Sequence, residues 1–233
     1  MSRAPFLVMV ALAVLFEGRG ADAALKTPAC LVLKRQAWSA LRKCEAAEQV
    51  KAIKGKPSDL AKCRAKFQDK QTKIDAKAAK AGIACRYGDN GDDTVTDYDT
   101  GLQWEEKHGP VGGDCTGDVH CVNDSFGWIA ALAFVDVSSD AATITANCFS
   151  GFCDWRLPKI DELRSLVTQI NCPTSPCIDP AFGPTIAAGY YWSSTDSNAI
   201  FPNSAWAIAF GNGSFAALDK GGAVHVRVVR HAL

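Results

Sequence analysis

Ten cysteines are the residues of this chain with the clearest chemistry, because their spacing sorts them into pairs. Zinc sites need closer cysteine spacing with histidines nearby, and only His108 and His120 lie near any of these cysteines. Spacing does not prove connectivity, but it favours three local disulfides that pin short loops. The three pairs, each separated by five or six residues, are Cys115 with Cys121, Cys148 with Cys153, and Cys172 with Cys177.

The other four cysteines belong to a basic segment with helical periodicity. Cys30 and Cys44 are 14 residues apart, which is about 21 Å along a helix, whereas the Cα atoms of a disulfide lie within about 7 Å. These two cannot pair along one helix. We predict a nested arrangement in which Cys44 pairs with Cys63 near a turn, and Cys30, outside the helices, pairs with Cys85.

Disulfides require an oxidising compartment, and the start of the sequence predicts one. Arg3 precedes an apolar run over residues 5–16, and Ala21-Asp22-Ala23 supplies the small residues that a signal peptidase reads. The run is shorter than the about 20 residues of a membrane span. We expect a signal peptide over residues 1–23, and a mature protein that is secreted, periplasmic or at the cell surface and has no membrane span.

Closely spaced carboxylates form a second candidate site. Asp89, Asp92 and Asp93 lie close together in the sequence, and calcium prefers several oxygen ligands. However, the spacing lacks the glutamate that would complete an EF-hand loop, and Asn90-Gly91 is typical of a turn. A plain turn is the favoured interpretation and calcium the weaker one, and no cofactor is predicted.

Catalytic chemistry has little support in the residue pattern. Ser193-Ser194 has no histidine that can be placed beside it, and His225, the only histidine in a predicted strand, is interpreted as a structural or surface residue. Aromatic and amide side chains provide weak candidates for binding a sugar instead. These candidates are Trp192 and Trp206 in strands, and Asn198, Asn203 and Asn212 in the loops around them.

The elements that carry these residues fall into two segments of opposite charge. Residues 24–82 contain 15 lysines and arginines against 5 acidic residues, a net charge of +10, and residues 83–233 contain 8 against 18, a net charge of −10. This division predicts a domain boundary. The twelve lysines of the basic segment are interpreted first as a solvated surface; they can also bind a glycan or another polyanion, or dock on the acidic segment. Few aromatic residues are interleaved with them, so no nucleic acid partner is expected.

The basic segment, residues 24–82, is predicted to be a helical hairpin. Apolar residues recur every three or four positions from Leu33 to Ala47, and at spacings of three, four and seven from Leu60 to Ala78, which predicts two helices. Gly55 and the residues after it interrupt this pattern, and Pro57 or Ser58 can start the second helix. Because the connection is short, the two helices are expected to be antiparallel.

The acidic segment, residues 83–233, is predicted to be an α+β domain stapled by disulfides. A first helix begins near Trp128, and Pro158 opens a second whose apolar face runs from Ile160 to Ile170. We expect the two ends of the domain to meet in one sheet. The predicted strands cover residues 94–97, 102–105, 190–195, 205–210, 214–218 and 223–229.

Six motifs in the acidic segment resemble, in the same order, the Lcl C-terminal domain family. The resemblance covers residues 86 to 230. More distantly, the motifs are similar to the C-type-lectin-like and formylglycine-generating-enzyme folds. The motifs are Asn90 to Asp97, Thr100 to Trp104, Asp154-Trp155-Arg156-Leu157-Pro158, Asp179 to Phe182, Tyr191-Trp192-Ser193-Ser194-Thr195, and Val226 to Arg230.

The resemblance implies an exported bacterial protein. The namesake of the family is associated with adhesion to host polysaccharide. A formylglycine-generating enzyme would need free, neighbouring cysteines near the end of the domain, and no cysteine follows Cys177. We therefore expect a non-catalytic recognition or adhesion module that binds polysaccharide or another polyanion. The alternatives are an enzyme of the formylglycine-generating type and a purely structural protein of the cell surface.

Overall fold

The computed structural model of the chain describes residues 29–115, 120–137 and 149–232, with the backbone alone at residues 133–137. The predicted signal peptide, residues 1–23, lies outside the described residues. The helices are α1 Ala29–Ile53, α2 Leu60–Lys80, α3 Trp128–Val137 and α4 Ile160–Ser165, with a short 3-10 helix at Pro180–Phe182. The strands are β1 Tyr87–Asp89, β2 Thr94–Asp97, β3 Leu102–Glu105, β4 Ser125–Phe126, β5 Tyr190–Asp196, β6 Ser204–Ala209, β7 Ser214–Asp219, β8 Val224–His225 and β9 Val229–His231.

The two helices predicted for the basic segment are confirmed, and α1 and α2 pack together as a hairpin. The chain turns at Gly55, whose φ of 67° lies in the left-handed region that favours glycine. The predicted start of α2 at Pro57 or Ser58 is wrong. Asp59 is the N-cap, because its carboxylate accepts a hydrogen bond from the Lys62 N–H at 2.8 Å.

The buried face of α1 differs from the predicted one. Leu31, Ala37 and Leu41 are buried, whereas Leu33, where the predicted apolar face begins, is 38% exposed. Lys34 is turned inward instead, and its ammonium group pairs with Asp75 of α2 at 2.6 Å and with Asp99 of the following region. The buried face of α1 is therefore set by contacts both with α2 and with the region around Asp99. The apolar periodicity of the sequence indicates only one such contact.

The hairpin docks on the turn between β2 and β3, where Tyr98 is almost completely buried. Tyr98 shares an apolar cluster with Ile74 of α2. Its carbonyl accepts hydrogen bonds from Trp38 Nε1 at 2.9 Å and Gln71 Nε2 at 3.0 Å, and its hydroxyl accepts one from Arg35 at 2.9 Å. The basic segment therefore docks on the acidic one, which was one of the uses predicted for its charge.

The strands form two sheets. The α+β class is confirmed, and so is the expectation that the two ends of the acidic segment meet in one sheet, while the strands between them form a second sheet. The two ends of the acidic segment meet in an antiparallel sheet of order β1-β2-β3-β9. A second sheet of order β4-β8-β5-β6-β7 is mixed, because β5 and β8 run parallel. The predicted strand 223–229 is divided between the sheets: residues 224–225 form β8, and β9 begins at Val229.

Two apolar clusters fill the space between these sheets and the short helices. The segment that links β8 to β9 contributes Val226 and Val228 to the second cluster and Val229 to the first. Buried residues of the first cluster include Val95, Trp104, Leu163, Leu166, Phe182, Tyr191, Ile208 and Phe210. Those of the second include Trp128, Ala131, Trp155, Leu157, Trp192, Ala205 and Ala207.

Helix α4 is much shorter than the helix predicted to follow Pro158. The Pro158 carbonyl accepts a hydrogen bond from the Ser194 N–H at 2.7 Å, so residue 158 stays extended beside β5. At the other end, Val167 bridges to Ile178 in a strand-like pair that stops the helix. As a result Ile170, predicted to lie on the apolar face, is 65% exposed.

Four of the five predicted disulfides pair within the described residues, with Cα–Cα distances between 5.5 and 5.9 Å. Cys148 lies outside the described residues, so its predicted bond to Cys153 is not described. Cys30 lies in α1, which corrects its predicted place outside the helices. The observed pairs are Cys30 with Cys85, Cys44 with Cys63, Cys115 with Cys121, and Cys172 with Cys177.

Candidate functional site

The two tryptophans predicted to bind a ligand have different environments. Trp192 is completely buried in the second cluster, and its indole Nε1 donates to the Phe126 carbonyl at 2.8 Å. A buried ring presents no face to a ligand, so Trp192 is a core residue and its prediction as a ligand contact is wrong. Trp206 is only half-buried and lies on the opposite side of the sheet.

Trp206 is the middle of a row of three aromatic side chains on the face of β6 and β7 opposite the second cluster. Its ring centroid lies 6.2 Å from that of Phe201 and 5.7 Å from that of Phe215. Phe201 and Phe215 are each 47% exposed. We call Phe201, Trp206 and Phe215 the aromatic strip. The alternation of β6 places Ala205 and Ala207 in the second cluster and Trp206 on the other face, where Ile208 is buried in the first cluster.

Helix α4 borders the aromatic strip with charged side chains. The Arg164 guanidinium lies over the Phe215 ring, 4.8 Å from its centroid. Arg164 also pairs with Asp161 at 3.7 Å, and both side chains are more than half exposed. The strip therefore combines flat apolar rings with polar groups at its edge, the usual composition of a binding surface.

The three predicted asparagines are exposed and each holds a turn. Asn198 Nδ2 donates to the Asp196 carboxylate at 3.2 Å, and Asn203 Nδ2 donates to the Asp219 carboxylate at 3.1 Å. The Asn212 carbonyl oxygen accepts from the Ser214 N–H in the hairpin between β6 and β7. Asn203 comes two residues after Phe201, so it lies beside the strip, whereas Asn212 belongs to the loop at the far end of β6.

The carboxylates weighed as a calcium site are used within their turn. Asp89 Oδ1 accepts from the Gly91 N–H at 2.7 Å, and Asp92 Oδ1 accepts from the Thr94 hydroxyl at 2.5 Å. Asp93 adopts a φ of 61° in the same turn. Within residues 29–115, 120–137 and 149–232, no group of three histidine, cysteine or carboxylate side chains is arranged to hold a metal ion.

The lysines of the hairpin form a second exposed surface. Lys51 pairs with Glu48 at 2.6 Å and Lys73 with Asp69 at 2.7 Å. Most of the hairpin lysines are nevertheless exposed to solvent, in contrast to the buried Lys34. The exposed lysines are Lys43, Lys51, Lys54, Lys56, Lys62, Lys66, Lys70, Lys73, Lys77 and Lys80.

The fold contains the features on which the resemblance rests. These are the order of the strands, the short helix after Trp155-Arg156-Leu157-Pro158, and the final valine-arginine segment. Residues 93–230 match the Lcl C-terminal domain, which agrees with the extent of the resemblance seen in the sequence. The chain belongs to the Lcl C-terminal domain family. A search of curated proteins finds no match to it. No helix in the described part of the chain is long and apolar enough to cross a membrane.

The Lcl C-terminal domain also contains a buried charged group that sequence reasoning missed. Glu105 is completely buried, and its Oε1 lies 2.8 Å from Lys107 Nζ and 2.7 Å from His120 Nδ1. Burial raises the pKa of Glu105, but the Lys107 charge and the His120 hydrogen bond more than offset this and hold the pKa below its ordinary value. Glu105 Oε2 also accepts from the Val228 N–H at 3.0 Å, so the group ties β3 to the end of the chain.

Arg227 is buried and is held by backbone carbonyls and a hydroxyl group. Its NH1 donates to the carbonyls of Glu105 and Phe182 at 2.7 and 2.8 Å, and its NH2 donates to the Thr185 hydroxyl at 3.1 Å. Burial lowers the pKa of this guanidinium. These contacts join three distant segments, which is a structural role. The only sequence signal was that Arg227 alternates with valines in the predicted strand.

Proposed function

We propose that this member of the Lcl C-terminal domain family is a non-catalytic recognition module that binds polysaccharide through the aromatic strip. The observation that carries the proposal is the row of Phe201, Trp206 and Phe215, in which both phenylalanines are exposed and Trp206 is half-buried although the domain has two apolar clusters in which to bury such rings. Exposed aromatic patches mark interaction surfaces. A pyranose ring has an apolar face that stacks on such rings and hydroxyls that bond to Arg164, Asp161 and Asn203.

The absence of catalysis is part of the proposal, and the use of the polar side chains supports it. Ser193 is buried and donates its hydroxyl proton to the Trp206 carbonyl at 2.6 Å. His225 Nδ1 contacts the Asp124 carbonyl at 2.8 Å, where only a donated N–H satisfies both atoms. The serine and the histidine first weighed for nucleophilic or acid–base work are therefore engaged in holding strands together.

Export is the second part of the proposal, and the paired cysteines favour it. Four disulfides in the described residues suit an oxidising compartment, so the module works outside the cytosol. The exposed hairpin lysines give a second candidate, which is binding of an anionic polysaccharide by the hairpin. The two surfaces differ in their response to salt, because contacts made by lysine charges weaken as ionic strength rises.

The test compares two phenylalanines in matched environments. Phe215 of the strip and Phe152 outside it are both half-exposed, and each ring is covered by an arginine: Arg164 at 4.8 Å and Arg230 at 3.8 Å. Wild type, Phe215→Ala, Trp206→Ala and Phe152→Ala are applied to an array of neutral and anionic polysaccharides at physiological salt. We expect the two strip variants to lose about tenfold or more in affinity and Phe152→Ala to bind like wild type.

Thermal unfolding of each variant shows that any loss of binding is not a loss of fold. Equal binding by all four proteins would remove the strip from the proposal. Binding that disappears with added salt and is insensitive to the strip would assign the polysaccharide to the hairpin instead. Silence of the wild type on the whole array would overturn polysaccharide recognition and favour a structural role.

A further inference from the structure

The free end of the hairpin carries aliphatic side chains that are open to solvent. Val50 and Ile53 in the last turn of α1 are 48% and 84% exposed, and Leu60, the first residue of α2, is 36% exposed. Ile53 is the most exposed large apolar side chain among the residues described. Exposed aliphatic residues are common singly, but three at one end of an element form a patch that marks an interaction surface.

Lysines surround this patch, and the two acidic side chains there are already engaged. Lys54 and Lys56 lie in the turn between the two helices and are exposed to solvent. Glu48 pairs with Lys51 and accepts from the Asp59 N–H at 2.9 Å, and Asp59 caps α2. The tip therefore presents apolar groups within a ring of positive charge, and its negative charges are used in holding the turn.

Among the described residues, the contacts of the hairpin with the C-terminal region lie away from this tip. The contacts to Tyr98 are made by the other end, through Trp38 on α1 and Gln71 on α2. Fifteen residues separate Trp38 from Ile53, which is about 22 Å of helix at 1.5 Å per residue. The disulfide between Cys44 and Cys63 joins the two helices along this free length.

We propose that the hairpin tip, residues 50–60, docks on the surface of an anionic phospholipid bilayer. Ile53, Val50 and Leu60 enter the boundary between headgroups and acyl chains, and the surrounding lysines contact lipid phosphates, the combination used by interfacial helices. A soluble polyanion would use the lysines but would leave the aliphatic patch in water. The positive charge of these lysines is complementary to an anionic bilayer, and the tip extends about 22 Å along α1 from the contact of Trp38 with Tyr98.

The experiment measures co-sedimentation of the disulfide-bonded chain with vesicles of phosphatidylcholine, alone or mixed equally with phosphatidylglycerol. We expect binding to the mixed vesicles and none to pure phosphatidylcholine. Ile53→Ser should weaken the binding about tenfold, whereas Ile170→Ser, which changes a 65% exposed isoleucine in the C-terminal part of the chain, should have no effect. Because Ile53 is 84% exposed, its substitution does not disturb folding.

A second pair of variants tests the position of the charge. Lys54→Gln with Lys56→Gln removes two charges at the tip, and Lys77→Gln with Lys80→Gln removes the same number at the docked end. We expect only the first pair to weaken vesicle binding. Failure of the wild type to bind mixed vesicles would overturn the proposal. Ile53→Ser binding as well as wild type, or equal losses for the two lysine pairs, would also overturn it and identify general attraction to polyanions.

Discussion

The helical hairpin and the C-terminal region, residues 83–232, are stabilised by different means. The C-terminal region has two clusters of buried apolar residues, with Trp104 and Trp192 completely enclosed. The hairpin has a narrow seam with only seven buried residues, and it is joined by Cys44–Cys63 and anchored by Cys30–Cys85. Segments that bury little surface need such covalent support, while a core of large side chains does not.

Charge is also used differently in the two regions. In the C-terminal region Glu105, Lys107 and Arg227 are buried and tie separate segments together. In the hairpin, Lys34 alone among the described lysines is buried, and the others face solvent. The positive net charge of the hairpin therefore lies on its surface. In the C-terminal region, charged residues form a buried network and other acidic residues lie in turns.

Replacing Trp192 should have the largest effect and should be confined to the C-terminal region. Trp192→Ala leaves a cavity in the second cluster and an unpaired Phe126 carbonyl, which costs about 3–5 kcal/mol. Trp206→Ala removes a half-exposed ring and should cost about 1 kcal/mol. Urea unfolding followed by near-ultraviolet circular dichroism measures both.

The same variant tests the predicted domain boundary near residue 82. If the hairpin folds by itself, Trp192→Ala should lose tertiary signal while part of the helical signal at 222 nm persists to higher urea. Loss of both signals in one transition would show a single cooperative unit, in which docking on Tyr98 is needed for the helices. A Trp192→Ala protein as stable as Trp206→Ala would contradict the assignment of Trp192 to the core.

Removing the Cys30–Cys85 disulfide should have the next largest effect, and it should act on the hairpin. This bond closes a separation of 55 residues, so the loop-entropy estimate of its contribution is about 4 kcal/mol, against about 2 kcal/mol for Cys172–Cys177, which spans five. We expect the double variant Cys30→Ser, Cys85→Ser to expose the hairpin to limited proteolysis.

The control is Cys172→Ser with Cys177→Ser, which should leave cleavage of the hairpin unchanged. Cleavage at lysines between Lys62 and Lys80 is the appropriate readout, because these residues are exposed in α2 yet protected by its helical backbone. Equal protection of the hairpin in the two double variants would mean that the contacts to Tyr98 hold it without the disulfide.

Features set by local chemistry could be predicted from the sequence, and features set by distant contacts could not. The two long helices and the strands at residues 94–97 and 102–105 follow from periodicity over short stretches, and the nested disulfides follow from the placement of four cysteines around the predicted hairpin. The division of the last strand could not be foreseen, because Arg227 is held by carbonyls from residues 105 and 182. Trp192 and Trp206 look alike in sequence, and only the sheet shows which one faces the core.

Acidification should have the smallest effect. Because it acts through His225, it should destabilise the C-terminal region and leave the hairpin unchanged. Burial lowers the pKa of His225, partly offset by its hydrogen bond to the Asp124 carbonyl, and the nearby Lys107 charge also lowers it. The unfolded chain takes up this proton near pH 6.5, at about the ordinary histidine pKa, while the folded state resists it. Stability is therefore complete above that pH and is lost as the pH falls from about 6.5 through the lower folded pKa.

The measurement compares urea midpoints of the C-terminal region at about pH 7.5 and about pH 5. The wild-type midpoint should fall at the lower pH, and the fall should be smaller in His225→Asn, whose amide can still donate to the Asp124 carbonyl but does not titrate. Residues 29–82 contain no histidine, so the helical signal of the hairpin should be unchanged over this range. An equal fall in His225→Asn would assign the acid sensitivity to other groups, and a parallel loss of hairpin helix would show that the two regions unfold together.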